Sequence, residues 1–338
     1  MSADSNQLID KVVDVTNVKD RLSLDQIVIL AIKNLLGDAN INLYRAIPHV
    51  DSFYYVVSTQ SNTLSKYESE LVTKSFAQLQ QDPLFARCYS NQHMQADESR
   101  CVWPLSKLGI HYGFIEINNI QQRTEQQAVV DNFVAIYCNL SYLINEAEKD
   151  TLTGLYNRKT LDGRLEQLLQ HAQALKKHSS QQGRSDAEKR HYWIALIDID
   201  HFKTINDTYG HAYGDEVLIT ISKLMQKKFR KEDLLFRYGG EEFIVIIDAT
   251  TEDTALMVLN RFRQSVEQHH FSTIGRVTIS AGVTKVDLMC PSTTLVGQAD
   301  KALYFSKSHG RNCVSYYQDL VQHGKVAEPK FDNDIELF

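Results

Sequence analysis

The second half of the sequence places carboxylates where apolar segments end. Asp198 and Asp200 follow an apolar run at residues 192–197, and Glu241 and Glu242 follow a Gly-Gly pair between two short apolar segments. The Gly-Gly pair predicts a tight hairpin whose turn uses glycine's access to positive φ. Carboxylates at a strand end and on a hairpin tip can converge on Mg²⁺, which prefers oxygen ligands and takes others from a phosphate substrate. The pattern therefore indicates metal-assisted phosphoryl transfer.

Cations and polar residues accompany these acids in a fixed order. Lys203, Lys307 and Arg311 are the cations expected to hold a triphosphate. Each piece also has an ordinary structural interpretation: a solvated turn for the acids, surface charge for the cations, and a turn residue or helix cap for Asn206 and Asp215. Their joint occurrence favours one nucleotide site, built from clusters at residues 150–158, 198–215, 237–243 and 300–312.

The four clusters resemble the GGDEF family of diguanylate cyclases, and the signature is Gly-Gly-Glu-Glu-Phe at residues 239–243. The resemblance implies an enzyme that condenses two GTP molecules into cyclic di-GMP and two pyrophosphates. It further implies that Mg²⁺, with Mn²⁺ as the alternative, binds Asp198, Glu242 and the backbone carbonyl of Ile199. Glu241 would lie at the metal and assist deprotonation of the attacking hydroxyl.

The resemblance also implies how the substrate is held. Asn206 and Asp215 would read the guanine edge, because an amide carbonyl and a carboxylate accept N–H donors that adenine does not present. The triphosphate contacts would come from three cations and two glycine backbones, namely Lys203, Lys307, Arg311, Gly239 and Gly240. The cations would bind the β and γ phosphates, and the glycines would lie near the α-phosphate. One subunit holds one GTP, so the family's reaction requires a homodimer.

A separate Arg-x-x-Asp pair, Arg230 and Asp233, precedes the signature by a short interval. By spacing alone such a pair is common and typical of a solvated helix end. The interval between this pair and the signature matches that of the product-binding inhibitory site in the family. The resemblance therefore implies feedback inhibition by cyclic di-GMP.

Three competing functions share much of this pattern. The first is a catalytically silent GGDEF-type receptor for cyclic di-GMP, which is disfavoured because every catalytic position carries a suitable residue. The second is a cyclase that selects another base and makes a mixed dinucleotide. It is disfavoured because Asp215 stands at the guanine-reading position. The third is a different two-metal nucleotidyltransferase, which the Gly-Gly-Glu-Glu-Phe signature disfavours.

The first half of the sequence, residues 1–123, predicts a mixed α/β domain. Helical and alternating apolar spacings predict a helix, two strands, a helix and two strands at residues 24–36, 41–46, 53–57, 64–79, 100–105 and 110–117. With a long exit helix, this order is similar to a GAF-type sensor domain, and a PAS-type domain is the alternative. The spacing of its histidines and cysteines does not indicate a particular ligand, so the sequence does not identify the sensed molecule.

Residues 124–149 carry a heptad-like apolar stripe. Its members follow at alternating steps of four and three, namely Val129, Phe133, Ile136, Leu140, Leu143 and Ala147. Such a stripe keeps facing a partner helix, so it predicts a helical coiled-coil linker between parallel subunits. A helix packed on its own domain is the alternative. The catalytic domain would span residues 150–322, followed by a loosely ordered tail at residues 323–338.

The catalytic fold carried over from the family is a nucleotide-cyclase-like α/β (α+β) palm with a ferredoxin-like βαββαβ core. Apolar runs predict its strands at residues 192–197, 234–238, 243–247 and 277–283. An amphipathic helix is predicted over residues 217–229, another helix at 165–175, and a polar loop at 178–190.

Composition narrows the class of protein. The chain of 338 residues has a net charge of −6 and no long basic run, which argues against a general nucleic-acid binder. Its five cysteines form no CxxC pair, so neither a disulfide framework nor a zinc site is expected. No secretion signal or membrane-spanning run is evident. We therefore expect a cytoplasmic protein without membrane contact.

Overall fold

The structure is a computed structural model that describes residues 21–37, 39–49, 52–60, 72–118, 124–166, 168, 191–287 and 290–327. The chain divides into two compact units, unit 1 (Met1–Ala147) and unit 2 (Glu148–Phe338). The finer domain boundaries stay predictions. The predicted helix at residues 165–175 and the loop at 178–190 lie largely outside the described residues. Among the described helices, none is long and apolar enough to cross a membrane.

Unit 1 is built on a six-stranded antiparallel sheet with the order β3-β2-β1-β6-β5-β4. Its strands are β1 (Asn40–His49), β2 (Ser52–Gln60), β3 (Val72–Ser75), β4 (Gln95–Ala96), β5 (Arg100–Lys107) and β6 (Ile110–Asn118). Its helices are α1 (Arg21–Leu36), α2 (Phe76–Gln80), α3 (Pro83–Asn91) and α4 (Thr124–Ala147). Gly37 follows α1 with a φ of 68°, the left-handed conformation that commonly ends a helix.

Helices cover both faces of this sheet, because side chains alternate between the two faces along each strand. The core under α1 and α4 contains Leu24, Val28, Ile32, Ile41, Leu43, Phe133 and Tyr137. The core under α3 contains Tyr44, Tyr55, Leu84, Phe85, Cys88 and Phe114. The predicted strands and the first and last helices of this unit are therefore present.

The helix predicted at residues 64–79 is wrong over residues 72–75 and present over residues 76–79. Residues 72–75 form the strand β3, and the helix α2 begins only at Phe76. Ser75 and Gln78 form a reciprocal capping box, in which each side chain accepts a hydrogen bond from the other residue's backbone N–H. This cap sets the start of the helix, whereas the β-branched residues Val72 and Thr73 favour strand pairing.

The apolar stripe of α4 is shared between the core and the surface. Phe133 is fully enclosed in the unit 1 core, and Val129, Ile136 and Leu140 are partly buried against it. Leu143, one turn further on, is 59% exposed. The first part of the stripe therefore packs on its own domain, as the alternative interpretation expected, and only its C-terminal end is open.

Unit 2 is built on a six-stranded mixed sheet with the order β12-β11-β8-β10-β9-β7. Its strands are β7 (Tyr156–Asn157), β8 (His191–Ile199), β9 (Leu234–Arg237), β10 (Glu242–Ala249), β11 (Ile279–Lys285) and β12 (Val314–Tyr316). Its helices are α5 (Phe202–Tyr209), α6 (His211–Lys228), α7 (Glu252–Glu267), α8 (Ser292–Ser308) and α9 (Tyr317–Gln322). The four central strands are antiparallel in the order β11-β8-β10-β9, which gives the predicted ferredoxin-like βαββαβ arrangement.

Alternation along β8 divides the core of unit 2 into two layers. Ala195 and Ile197 face the layer under α6 and α7, whereas Ile194 and Leu196 face the layer that contains Leu295 and Leu303 of α8. Residues 192–197 of this strand form an unbroken apolar run because both faces of the strand are covered. The central position of β8 fixes the end of this strand, where Asp198 lies, between two neighbouring strands.

Candidate active site

The register of the central strands brings the first two predicted carboxylates together. In the antiparallel pair of β8 and β10, Asp198 lies opposite Glu242, and on its other side Asp198 lies opposite Ser280 of β11. The side chain of Asp198 is almost completely buried. Apolar partners along both strands hold this register, since a shift by one residue would move each core side chain to the opposite core layer.

The hairpin between β9 and β10 presents Glu241 and Glu242. The carbonyl of Glu242 accepts hydrogen bonds from the backbone N–H groups of Tyr238 (2.8 Å) and Gly239 (3.2 Å). The expectation that this turn uses positive φ is wrong, because neither Gly239 nor Gly240 is among the glycines with positive φ. A Cβ on Gly239 would lie 2.7 Å from Oε2 of Glu242, so a side chain there would displace this carboxylate. Glycine therefore leaves room for the carboxylate beside the turn.

Burial and nearby negative charges raise the pKa values of three carboxyl groups at this edge. Burial is the largest cause for Asp198, Glu241 and Glu242, and the charge of Asp198 raises the pKa values of both glutamates further. Lys307, in the last turn of α8, opposes this effect with its Nζ 2.8 Å from Oδ2 of Asp198. The charge of Arg311 also lowers the pKa of Asp198. The edge of the sheet thus concentrates negative charge that a cation would stabilise.

Asp200 does not join this carboxylate group. Its side chain accepts hydrogen bonds from Oγ1 of Thr278 (2.7 Å), Oγ of Ser280 (2.7 Å) and the backbone N–H of Asn312 (3.0 Å). Asn312 and Arg311 both have left-handed backbones, with φ values of 48° and 59°. Because such backbones are strained for residues other than glycine, Asp200 secures the turn that carries Arg311.

We expect Asp200→Asn to lower the free energy of unfolding by about 1–3 kcal/mol, because an amide donor would face the hydroxyl and N–H donors that Asp200 now accepts. Amide hydrogen exchange at Asn312 should also become faster. Asp207→Asn, at an exposed position of α5, removes the same charge and serves as the control. Unchanged protection of the Asn312 amide would contradict the assigned contact.

The remaining predicted phosphate ligand, Lys203, is exposed in the first turn of α5. The predicted guanine readers lie at the junction of α5 and α6. Asn206 belongs to α5, and Asp215 is exposed in the first turns of α6. The backbone N–H of Gly210, between these helices, donates to the carbonyl of Asn206 at 2.9 Å. The junction therefore joins the two helices that carry these residues.

Two residues that the sequence left without a role fasten the hairpin. One nitrogen of the Arg237 guanidinium lies 3.2 and 3.3 Å from the two carboxylate oxygens of Asp150, and the other donates to the carbonyl of Gly240 at 2.9 Å. Asp150 is itself held by the backbone N–H and hydroxyl of Thr153. The start of unit 2 is thereby linked to the hairpin tip. Both residues stood in the sequence clusters, but no local pattern indicated that they pair.

The predicted product-binding pair forms a compact turn between α6 and β9. The carboxylate of Asp233 accepts a hydrogen bond from the backbone N–H of Arg230 at 2.8 Å, and the Arg230 side chain is exposed. Burial, followed by the charge of Glu232, raises the pKa of Asp233 to about 6. The turn thus fixes Asp233 and leaves the Arg230 side chain exposed.

Fold and site together define a nucleotide-cyclase-like palm with an acidic hairpin. Residues 147–313 match the family described as diguanylate cyclase, GGDEF domain. Among curated relatives, diguanylate cyclase A of Treponema denticola is 46% identical over 135 residues, which cover 39% of this chain and 36% of that protein. Diguanylate cyclase DgcZ of Escherichia coli K12 is 35% identical over 175 residues, 51% of this chain and 54% of that protein. Residues 147–313 are therefore a GGDEF domain.

Among solved structures, the GGDEF domain of DgcB from Caulobacter crescentus in complex with c-di-GMP is 30% identical and covers 51% of this chain and 96% of that chain, with a TM-score of 0.43. The chain spans about a third to a half of the length of the two curated relatives. The family assignment rests on the family match and on these relatives.

Proposed function

We propose that this protein is a diguanylate cyclase that condenses two GTP molecules into cyclic di-GMP and releases two pyrophosphates. The observation that carries the proposal is the pairing of Asp198 with Glu242 across β8 and β10, beside the Gly-Gly turn and the cation Lys307. The names of the curated relatives support the same reaction. Because GTP is the substrate, the proposed place of the reaction is the cytoplasm.

The donor set fits Mg²⁺, with Mn²⁺ as the alternative. Within the described residues, no three His, Cys, Asp or Glu side chains are grouped tightly enough to hold a metal alone. Mg²⁺ characteristically uses one or two carboxylates and completes its shell with phosphate oxygens and water. Asp198, Glu242 and the carbonyl of Ile199 would hold it, with Glu241 beside it. When bound, the ion neutralises charge on the triphosphate and on the leaving pyrophosphate.

The other residues of the site would bind the phosphates and assist proton removal. Lys203, Lys307 and Arg311 bind the β and γ phosphates, and the Gly239–Gly240 backbone allows the α-phosphate to approach the hairpin. The 3′-hydroxyl of one GTP attacks the α-phosphorus of the other, and a new P–O bond forms as the bond to pyrophosphate breaks. Glu241, beside the metal site, assists removal of the hydroxyl proton.

Two half-sites must face each other for this reaction, so the proposal includes a homodimer. Unit 1 would act as a GAF-like sensor of an unidentified ligand, which the order of its helices and strands supports. The open end of the α4 stripe, at Leu143, would meet the second subunit and set the alignment of the two GGDEF domains. This geometry makes dimer alignment the point of control.

The test is an assay of the full-length chain with GTP and Mg²⁺, with the products separated by chromatography. Cyclic di-GMP and pyrophosphate in a ratio of one to two is the expected result. Binding of cyclic di-GMP without any turnover of GTP, even when the GGDEF domains are brought together by a fused dimeric coiled coil, would indicate a receptor instead of an enzyme.

Product inhibition is the regulatory part of the proposal. We expect Arg230→Ala to raise the cyclic di-GMP concentration for half inhibition by about tenfold or more, because a charge-assisted contact to guanine or phosphate is lost. Lys223→Ala, which removes another exposed cation, on α6, is the control. An unchanged inhibition curve for Arg230→Ala would show that the product binds elsewhere.

A further inference from the structure

Gly214 is a buried glycine in the first turns of α6 whose backbone does not require glycine. Its φ is not among the positive values, and a glycine inside a helix costs about 0.5–1 kcal/mol relative to alanine. The reason for glycine at this position is therefore a neighbouring side chain.

That neighbour is Asn206. A Cβ on Gly214 would come closer than 3.0 Å to Oδ1 of Asn206, an approach that real Cβ atoms essentially never show, and would lie 3.1 Å from its Cγ. The ring of Phe202 would be 3.2 Å away. The Asn206 carboxamide thus occupies the volume that any larger residue at position 214 would fill.

The backbone cannot relieve such a contact easily. The carbonyl of Asn206 accepts from the N–H of Gly210, and the carbonyl of Gly210 accepts from the N–H of Gly214 at 3.3 Å, so the two helices are joined by successive hydrogen bonds. Phe202 and Ile205 anchor α5 in the core. An added methyl group would therefore rotate the carboxamide of Asn206 instead of moving its helix.

The carboxamide oxygen is buried and has no hydrogen-bond partner among the described residues. A buried acceptor in this state is costly, which indicates a position kept for a donor. We propose that Gly214 is a positioning residue for base recognition: it holds the Asn206 carboxamide where it accepts from the N–H donors of guanine. This inference rests on the proposed function and adds a determinant of its substrate specificity.

The test compares steady-state kinetics with GTP and with inosine triphosphate, which lacks the exocyclic amine of guanine. Gly214→Ala should raise KM for GTP by about tenfold with a smaller effect on kcat. The preference for GTP over inosine triphosphate should fall to that of Asn206→Ala. In the double variant the added methyl has no carboxamide to displace, so its preference should equal that of Asn206→Ala alone.

Gly297→Ala is the matched control, since it adds a methyl group to a helical glycine of α8 with nothing within 4 Å. It should leave both KM values unchanged. A wild-type preference in Gly214→Ala, or additive losses in the double variant, would overturn the inference while leaving the cyclase activity established. If Gly214→Ala fails to fold, an equally unfolded double variant would also overturn it. Wild-type protein that neither binds nor converts GTP would refute the proposed function itself.

Discussion

Glu242→Gln is expected to reduce cyclic di-GMP formation by more than about a hundredfold. Even residues that only orient metal ligands typically cost 10–100-fold when changed, and Glu242 is proposed to be a ligand itself. The substitution keeps the size of the side chain and its place opposite Asp198 in the register of β8 and β10. The rate should therefore fall because a charge is lost, and the measurement is the initial rate with GTP and Mg²⁺.

The same substitution, Glu242→Gln, should not lower the thermal stability of the protein. Burial and the charge of Asp198 raise the pKa of Glu242 in the folded protein above its ordinary value. A carboxyl group with a raised folded pKa destabilises the fold when it is ionised, and this loss disappears as the pH falls through the folded pKa. At neutral pH without metal, Glu242→Gln should therefore unfold at an equal or higher temperature than the wild type.

The pair of results separates a chemical role from a structural one. Glu98→Gln, at an exposed position of unit 1, removes the same charge and should change neither the rate nor the unfolding temperature. A Glu242→Gln variant that keeps its activity would refute the metal-ligand role. One that loses both activity and stability would indicate that Glu242 maintains the hairpin instead.

Much of the fold was predictable because it depends on local apolar periodicity. The uninterrupted apolar run of β8 and the stripe of α6 follow directly from burial on two faces and on one face, respectively. The helix predicted at residues 64–79 failed over residues 72–75, which form β3, and a capping box at Ser75 sets the start of α2 at Phe76. There a short polar signal outweighed the apolar spacing.

The candidate site was predictable in its members but not in its contacts. Asp198 and Glu242 meet because strand register aligns them, and Glu241 precedes Glu242 on the hairpin. The sequence clusters were sufficient to name all three residues. The pairing of Arg237 with Asp150 joins residues 87 positions apart, and no local pattern encodes it. The role of Asp200 depended likewise on the distant Asn312. Contacts of this kind arise only when the sheet has assembled.

The second large effect concerns Gly282, in the middle of β11. A Cβ at this position would come closer than 3.0 Å to the backbone N of Leu303, the carbonyl O of Ala299 and the carbonyl C of Ala302, all in α8. Unlike the side-chain neighbour of Gly214, these are backbone atoms of a helix whose apolar face is buried. Gly282→Ala should therefore destabilise unit 2 by about 3 kcal/mol or more, since the helix must move away from the sheet.

Denaturant unfolding followed by tryptophan fluorescence measures this effect in the full chain. Each unit contains one of the two tryptophans, so a Trp103→Phe background leaves Trp193, whose strand β8 pairs with β11, as the reporter of unit 2. Gly297→Ala in α8 should instead stabilise by up to about 1 kcal/mol, because its methyl group meets open space. Equal shifts in the same direction would contradict close packing at Gly282, since opposite signs from one chemical change can arise only from the different surroundings of the two glycines.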